Sequence, residues 1–391
     1  MAGNFFERPQ AAARLKHQLL GRYLRVFVQK VGSTSAGKRV VFLDGYAGPG
    51  VYGDETPGSP ALALDVAALV ATTDNLVGYV VEANKAHYQR LKALVEDRRP
   101  DWFVYHGHVE DHLDDILAKA GKLPLFAFLD PFGLAVPLDT ITAKLLSRSG
   151  RWSAGSPPRA ATEVLLNFSL SGLRRNAGHL DSQATDPRYL AARTTILERV
   201  DRTLGGPWWR SIWQGRPPGD REDAILDGYL RRVAGTTGVW QVTAVPVADR
   251  WQGPPVYYLV HLTQHPHGVW HFSEALSNAM ESYRLFCLEQ AGQLDLEPLA
   301  QREAMWEAHI TANIERLLAN GHFVIGDRAV EVYGDALGLA REKHIRAAVK
   351  TLHDRTVTSC DGKGPVRTMR VTPSSRRLSR QGVSSGAKGA R

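Results

Sequence analysis

The segment that most constrains the fold of this chain runs from Val40 to Gly50 and reads VVFLDGYAGPG. Four apolar residues end in Asp44, and glycines then recur at short intervals. A continuous apolar run is typical of a strand that is covered on both faces of a parallel sheet. Gly48 and Gly50 carry no Cβ, so they permit positive φ and let a ligand approach the main chain. The segment predicts a ligand-binding loop after a core strand; an ordinary tight turn is the alternative.

The glycine spacing also invites a dinucleotide interpretation, because Gly48, Gly50 and Gly53 spell G-x-G-x-x-G. Two features disfavour it. Asp44 stands ahead of the glycines, near the place of a pyrophosphate, and a Gly/Pro-rich loop from Val51 to Pro60 precedes the next helix. An acid there suits a cofactor that brings cationic and hydroxyl groups without phosphate, and we therefore predict S-adenosylmethionine (SAM).

Composition sets the class of protein. The chain has 391 residues, of which 43% are hydrophobic, enough for two or three globular domains. No apolar run approaches the roughly 20 residues that cross a bilayer, and the first residues hold no apolar signal-peptide core. Only Cys287 and Cys360 occur, which favours a reducing cytoplasm and neither a disulfide framework nor a metal site. The net charge of +8 permits a polyanionic partner without requiring one.

Apolar runs alternate with helical patterns along the first 170 residues, after an amphipathic helix at 14–29. This alternation predicts a parallel sheet with helices on both faces. Two further apolar runs form an antiparallel hairpin, and a doubly wound sheet closed by a hairpin is the arrangement of Rossmann-like methyltransferases. The predicted strands are Lys38–Asp44, Val77–Val81, Trp102–His106, Leu125–Leu129, Val164–Phe168, Val239–Val247 and Val256–Thr263, and the helices between the first five are Ser59–Val70, Lys85–Val95, one around Leu113 to Leu117, and Asp139–Leu146.

The chain divides, by this pattern, into a methyltransferase-type domain at 1–272, a helical and winged-helix domain at 273–370, and a basic tail at 371–391. An insertion at 177–235 contains Trp208, Trp209 and Trp213, for which aromatic core is favoured over a role at the site rim. The second domain is predicted to hold helices at 274–289, 298–319, 336–339 and 342–352, with two short strands. Its last helix would present basic residues to DNA, or the domain would dock a protein; the basic set is Arg341, Lys343, His344, Arg346 and Lys350. The tail is predicted to be disordered.

The chain resembles the three-Cys-motif partner proteins, a bacterial family. The matching residues form the helix from Lys16 to Phe27, LDGYAGPG from Leu43, Gly58-Ser59-Pro60, FLDPFGL from Phe128, LLNFS from Leu165, Arg174-Arg175-Asn176 and VYYLV from Val256. The resemblance implies a methyltransferase-like domain with a winged-helix C-terminus, and a partner protein that bears three cysteines and is reminiscent of radical-SAM enzymes.

Two segments depart from the patterns that this resemblance implies. Asp44-Gly45-Tyr46 stands where family members often show Asp-Leu-Phe or Asp-Pro-Phe, and Tyr46 keeps an aromatic ring there. Many methyltransferases place an acid beside the adenine ring after the third strand, where this chain has His106-Gly107-His108-Val109-Glu110. The adenine contact is therefore left open.

Three acids end predicted strands, and the carboxyl ends of parallel strands meet at one edge of a sheet, where ligands collect. We predict that Glu82 accepts hydrogen bonds from a ribose diol and that Asp44 faces the methionine amino group. The glycine backbone would line the cofactor, and Ser59 would supply a hydroxyl or only cap its helix. The predicted cofactor-binding residues are Asp44, Gly45, Tyr46, Gly48, Gly50, Ser59 and Glu82.

Asp130-Pro131-Phe132-Gly133 is the predicted catalytic segment, because amine methyltransferases place an acid or amide, prolines and an aromatic residue at this point. The acid orients the amino group and the ring stacks on the base; the segment is similar to the Asp-Pro-Phe-Gly of tRNA guanine-N2 methyltransferases. Arg174 and Arg175 would hold phosphates, or would pair with acids of this chain. A domain that has lost catalysis and serves as an adaptor for the three-cysteine partner or nucleic acid is the alternative function. The histidines near the hairpin are not predicted to bind metal.

Overall fold

The computed structural model describes residues 11–134, 136–149, 161–235, 239, 241–295 and 298–374. The chain separates into two compact units, Met1–His265 and Pro266–Arg391. The described residues contain no helix that combines the length and the hydropathy required to cross a membrane.

A seven-stranded sheet forms the centre of the first unit, in the order β3-β2-β1-β4-β5-β7-β6. Strands β1 to β5 are parallel to their neighbours, whereas β7 runs antiparallel to β5 and β6. The predicted α/β sheet with a closing antiparallel hairpin is therefore confirmed. The strands are β1 Arg39–Asp44, β2 Asn75–Glu82, β3 Phe103–His106, β4 Leu125–Leu129, β5 Thr162–Ser169, β6 Gln241–Val247 and β7 Tyr257–Thr263.

Helices cover the sheet, and most begin where the sequence predicts. Helix α2 has Gly58 as its N-cap, so Ser59 is its first residue and the predicted capping role of Ser59 is wrong. The stretch predicted as an α-helix at 139–146 is instead a π-helical segment, Thr140–Leu145, followed by a 3₁₀ turn, Leu146–Ser149. The first helices are α1 Ala11–Gly32, α2 Ser59–Val70, α3 Lys85–Arg98 and α4 Val109–Ala120.

Helix α1 lies against the sheet through an apolar face that includes Leu15 and Leu19, both fully buried. The Tyr23 hydroxyl donates to the carboxylate of Glu163 on β5, and the Tyr257 hydroxyl on β7 donates to the Ala12 carbonyl. These two bonds fix the helix across the centre of the sheet. Residues on the same helix can therefore be held at the sheet's carboxyl edge.

The insertion after β5 is helical. Trp209 and Trp213 are buried in the core of the first unit, which confirms the aromatic-core interpretation for both. Trp208 is partly buried, and the Arg232 guanidinium lies 3.7 Å from its ring centroid. The helices are α5 Leu170–Ala177, α6 Pro187–Leu204, α7 Trp209–Gly215 and α8 Asp220–Ala234.

The second unit has its own apolar core and consists of helices with one short antiparallel ladder, β8 with β9. The helix predicted at 336–339 is wrong: a helix lies at Ala329–Tyr333 and a 3₁₀ turn follows, because Gly334 and Gly338 adopt positive φ. His344 is fully buried, so it cannot read DNA. The elements are α9 Pro266–Gln290, α10 Leu299–Leu318, β8 Phe323–Val324, α11 Ala329–Tyr333, α12 Glu342–Asp354 and β9 Arg370–Val371.

The start of the predicted tail belongs to this second core. Val371 is fully buried and lies in β9, and Pro373 forms an antiparallel bridge with Thr358. The predicted start of a disordered tail at 371 is therefore wrong, and residues 375–391, on which the rest of that prediction falls, lie outside the described residues.

Candidate functional site

The sheet brings the three strand-ending acids to one edge. Strand β1 lies between β2 and β4, and its last residue, Asp44, is in register with Val80 of β2 and Phe128 of β4. Glu82 ends β2 and Asp130 follows β4. Both acids raise the pKa of Asp44 by charge repulsion, so the structure places the three carboxylates in one electrostatic cluster, as predicted.

The glycine loop lies beside this cluster, and two of its glycines are conformationally required. Gly48 has φ 65° and Gly50 has φ 81°, in the left-handed region. A Cβ at Gly50 would lie 2.6 Å from Cδ2 of Leu94. A Cβ at Gly53, by contrast, would meet nothing within 4 Å, so packing does not require the third glycine of the G-x-G-x-x-G pattern.

Glu82 anchors the glycine loop, a role that the sequence did not predict. Its Oε2 accepts from the Gly48 N–H at 2.8 Å, and its Oε1 accepts from the Asn84 N–H at 2.6 Å. Only 11% of the side chain is exposed. Each carboxylate oxygen can accept a second hydrogen bond, so the predicted ribose contact stays compatible with this geometry.

Asp44 is fully buried and incompletely bonded. Its Oδ1 accepts from the Tyr46 N–H at 3.1 Å, whereas its buried Oδ2 has no hydrogen-bond partner among the described residues. Burial raises the pKa of Asp44 to about 7; the Ser59 hydroxyl and the Tyr46 N–H oppose the rise, and Asp130 and Glu82 add to it. A buried acceptor without a donor is costly, and a donor from a ligand would remove that cost.

Asp130 is, by contrast, held by two side chains from distant parts of the chain. Lys16 Nζ on α1 forms an ion pair with Oδ2, and Asn167 Nδ2 on β5 donates to Oδ1 at 2.7 Å. Neither residue is among the predicted site residues, although both lie in the segments that carry the family resemblance. Next to Lys16, burial and the lysine charge lower the pKa of His17 to about 4 against the opposing effect of Asp130, so His17 is neutral at pH 7.

The segment after Asp130 presents an aromatic ring to solvent on a rigid turn. Phe132 is 92% exposed, while the preceding Pro131 is buried. Helix α5 packs tightly behind the turn: a Cβ at Gly172 would lie 2.8 Å from Gly133 Cα. The ring is therefore an exposed platform that the backbone of α5 supports.

The two arginines predicted to hold phosphates differ. Arg174 Nε donates to the buried carboxylate of Glu222 at 3.0 Å, so its predicted phosphate role gives way to the pairing alternative. Arg175 is exposed and makes no ion pair with the described residues. Its Nη2 lies 2.9 Å from the position that a Cβ of Gly133 would occupy, directly beside the predicted catalytic segment.

The remaining predicted residues line the same region. Gly45 is packed so closely that a Cβ there would lie 2.8 Å from Leu129 Cδ2. The Tyr46 hydroxyl donates to Glu110 at 3.4 Å, and burial, with the Glu110 charge, raises the pKa of Tyr46. The His106 ring lies 4.9 Å from the ring of Tyr88 at the end of β3. Among the residues that the structure describes, no group of three or more His, Cys, Asp and Glu could hold a metal ion.

Comparisons with known proteins give weak likenesses. No family model matches the chain, and no curated protein matches it. A solved structure of a Legionella pneumophila protein is 12% identical, with a TM-score of 0.40, over 72% of this chain and 94% of that one. An O-methyltransferase from Bacillus cereus, solved with S-adenosylhomocysteine (SAH), is 12% identical (TM-score 0.33; 66% of this chain and 93% of that one). The O-methyltransferase TomG from Streptomyces achromogenes, involved in tomaymycin synthesis and solved with SAM, is 13% identical (TM-score 0.33; 67% and 93%). Likenesses of this size transfer neither a cofactor nor an activity to this chain.

Proposed function

We propose that the first unit binds SAM and transfers its methyl group to an amine nitrogen of a nucleic acid base, in a protein of the three-Cys-motif partner type. The observation that carries the proposal is the buried Oδ2 of Asp44, which lacks a donor beside a glycine loop and two further carboxylates. A ligand that brings an ammonium group satisfies this oxygen. SAM has such a group, a ribose diol and a positive charge, and it carries no phosphate.

The residues present fit that cofactor. Asp44 would accept a hydrogen bond from the amino group, and Glu82 would accept from the ribose while it holds Gly48. The turns at Gly48 and Gly50 have positive φ, and the half-buried Gly48 leaves part of this main chain open to a ligand. The walls of the site would be completed by Gly45, Tyr46 and Ser59. When bound, SAM supplies an electrophilic methyl group.

Asp130 is positioned to handle the accepting amine. Lys16 donates to Oδ2 and Asn167 donates to Oδ1, so the carboxylate is fixed. Each oxygen keeps a lone pair that can accept a further hydrogen bond. Those lone pairs can accept N–H bonds from an exocyclic amine and orient its nitrogen lone pair. Positioning of this kind lowers a barrier by up to roughly 7–11 kcal/mol, and the proton that the amine loses starts beside Asp130.

Phe132 and Arg175 support a nucleic acid substrate. An exposed ring stacks on an unpaired base, which is worth about 1–3 kcal/mol, and an exposed arginine beside it can hold a phosphate. A base inside a duplex cannot reach the strand edge, so the substrate is flipped out or single-stranded.

Calorimetric titration with SAM tests the cofactor. We expect micromolar binding that is lost in Glu82→Ala, with Asp97→Ala, an exposed acid of α3, as the matched control. Absence of binding to the unaltered protein would refute the cofactor assignment. Transfer of labelled methyl from SAM into RNA or DNA then tests catalysis, and it should disappear in Asp130→Ala while SAM binding remains. Methylation that survives this substitution would remove Asp130 from the mechanism.

A second candidate function, an adaptor for a three-cysteine partner protein, is favoured by the second unit. The charges of the predicted DNA-reading helix are largely occupied, since Glu303 contacts Arg341, Lys343 and His344. Large apolar side chains are exposed on the same unit, with Leu294 81% and Met305 58% exposed. Co-purification of the full chain with such a partner, weakened by Met305→Glu and unchanged by Lys350→Glu, would support docking through this apolar surface. Equal binding by both variants would contradict it.

A further inference from the structure

Tyr52 lies in the loop between the glycines and α2. This loop is a small closed hairpin: Val51 and Pro57 form an antiparallel bridge, and the Tyr52 N–H donates to the Thr56 carbonyl at 3.0 Å. The Gly58 N–H donates to the Gly50 carbonyl at 2.8 Å and closes its base. The hairpin is thus tied to the glycine turn, and the position of Tyr52 is fixed relative to it.

The Tyr52 side chain extends over the glycine loop. Its hydroxyl lies 3.7 Å from where a Cβ of Gly48 would stand, and its Cε2 lies 3.5 Å from the corresponding point of Gly58. The side chain is nevertheless 38% exposed. It therefore lies beside the glycine main chain with part of its surface in solvent, next to Gly48, the residue whose N–H donates to Glu82.

The hydroxyl also faces the carboxylate cluster. Burial first, and then the charges of Asp130, Asp44 and Glu82, together raise the pKa of Tyr52 to about 12, and each of these acids contributes more than its loop neighbour Asp54. Asp44 and Glu82 end β1 and β2, and Asp130 directly follows β4. A side chain on which all three act lies near the point where they converge.

We propose that Tyr52 contacts the bound cofactor and forms the solvent-side wall of the site, where its ring favours a cationic ligand over a neutral one. The inference rests on the proposed function, because it takes SAM as the ligand. An aromatic ring and a group of carboxylates both attract positive charge, and a ring near a cation contributes from a few-fold to more than tenfold in affinity. SAM carries a sulfonium charge that its product SAH lacks, so the pair isolates this effect.

The test is calorimetric titration of the full chain with SAM and with SAH. Tyr52→Phe keeps the ring, whereas Tyr52→Leu keeps apolar bulk without the ring. We expect Tyr52→Leu to weaken SAM by about tenfold and SAH by less, which lowers the SAM-to-SAH affinity ratio, and Tyr52→Phe to preserve that ratio. Tyr189→Leu, in the inserted helix α6 where the tyrosine pairs with His179, is the matched control and should change neither affinity.

The outcomes separate the two proposals. If the unaltered protein binds no SAM, the proposed function fails and this inference fails with it. If the unaltered protein binds SAM and Tyr52→Leu binds SAM equally well, or loses SAM and SAH affinity in equal proportion, the role of Tyr52 alone is overturned. A ratio that falls as far in Tyr52→Phe as in Tyr52→Leu overturns the role of the ring.

Discussion

Two buried carboxylates in the first unit have the same burial and opposite pKa shifts. Glu163, on the face of β5 that α1 covers, accepts from Tyr23, from Thr263 at 2.7 Å and from His261 at 3.2 Å. Burial alone would raise the pKa of Glu163, but these three partners outweigh it and hold the pKa below its usual value. Asp44, at the carboxyl end of β1, has fewer donors, and burial raises its pKa to about 7.

The number of donors that the protein supplies determines whether a buried acid stabilises the fold or is left to bind a ligand. Where the protein supplies every donor, the carboxylate fastens one element to another. Where the protein leaves an oxygen without a donor, the acid costs stability until a ligand completes it. The first arrangement holds α1 on the sheet, and the second lies where the cofactor is proposed to bind.

We expect the greatest loss of stability from a change at Glu163, the carboxylate for which the protein supplies three donors. Glu163→Gln removes the charge that Tyr23, His261 and Thr263 share, so we expect the free energy of unfolding to fall by about 3 kcal/mol, as for other broken buried networks. Urea denaturation at neutral pH measures it, with Glu55→Gln on the exposed loop as control. A loss below about 1 kcal/mol would mean that the network contributes little to stability.

Asp44→Asn should raise the free energy of unfolding at high pH, whereas Glu163→Gln lowers it. The folded-state pKa of Asp44, about 7, lies above its unfolded value of 3.8, so its contribution to stability is present in acid and is lost as pH rises toward 7. Asparagine has no charge to bury. We therefore expect the free energy of unfolding of the variant to exceed that of the unaltered protein by on the order of 3 kcal/mol near pH 8 and by much less near pH 4. Urea denaturation at the two pH values measures the difference. A difference that is independent of pH would contradict the assignment.

The Lys16–Asp130 ion pair should contribute less to stability than either buried carboxylate, because its side chains are 13% and 19% exposed. A double-mutant cycle of Lys16→Met and Asp130→Asn should give a coupling free energy of about 1 kcal/mol in urea denaturation, because the pair is only partly buried. The same cycle with Lys92, which pairs with Glu96 on the exposed face of α3, is the control and should give less. Equal couplings would remove the distinction between the site pair and a surface pair.

The smallest effects should separate the two adjacent arginines. Arg174 is occupied by Glu222, so Arg174→Ala should lower the free energy of unfolding by about 0.5–1 kcal/mol and leave nucleic acid binding unchanged. Arg175→Ala should leave stability unchanged and weaken binding to single-stranded RNA several-fold at low salt. Fluorescence anisotropy measures the binding, and the reverse pattern would exchange the two roles.

The sequence predicted what depends on local pattern. Strand β4 coincides with its apolar run, and the hairpin of β6 and β7 lies within one or two residues of its prediction. The alternation of strands and helices already implies a parallel sheet. In such a sheet the acids at the strand ends meet at one edge, as the sequence predicted. The exposed Phe132 and the positive φ of Gly48 and Gly50 agree with the roles proposed for those residues.

What the sequence could not predict depends on contacts between distant segments. The donors at Asp130 come from α1 and β5, and nothing local to Lys16 or Asn167 indicates that they meet. Likewise, only the buried acid at Glu222 distinguishes Arg174 from Arg175. A helix lies at 329–333 and not at the predicted 336–339, because Gly334, with positive φ, ends it.

The attachment of α1 has a consequence for how the first unit is made. Its contacts to Asp130, Glu163 and Tyr257 span 114, 140 and 245 residues of chain. Contacts of such sequence separation form late, after the entropy of closing long loops has been overcome. During synthesis, α1 is made before β7, so its contact with Tyr257 cannot form until β7 has been added. The glycine loop and the strand edge can therefore form before Lys16 reaches Asp130. The complete set of contacts at this strand edge therefore forms only when the whole unit has folded, and a partly folded chain would have the glycine loop without the ion pair that holds Asp130.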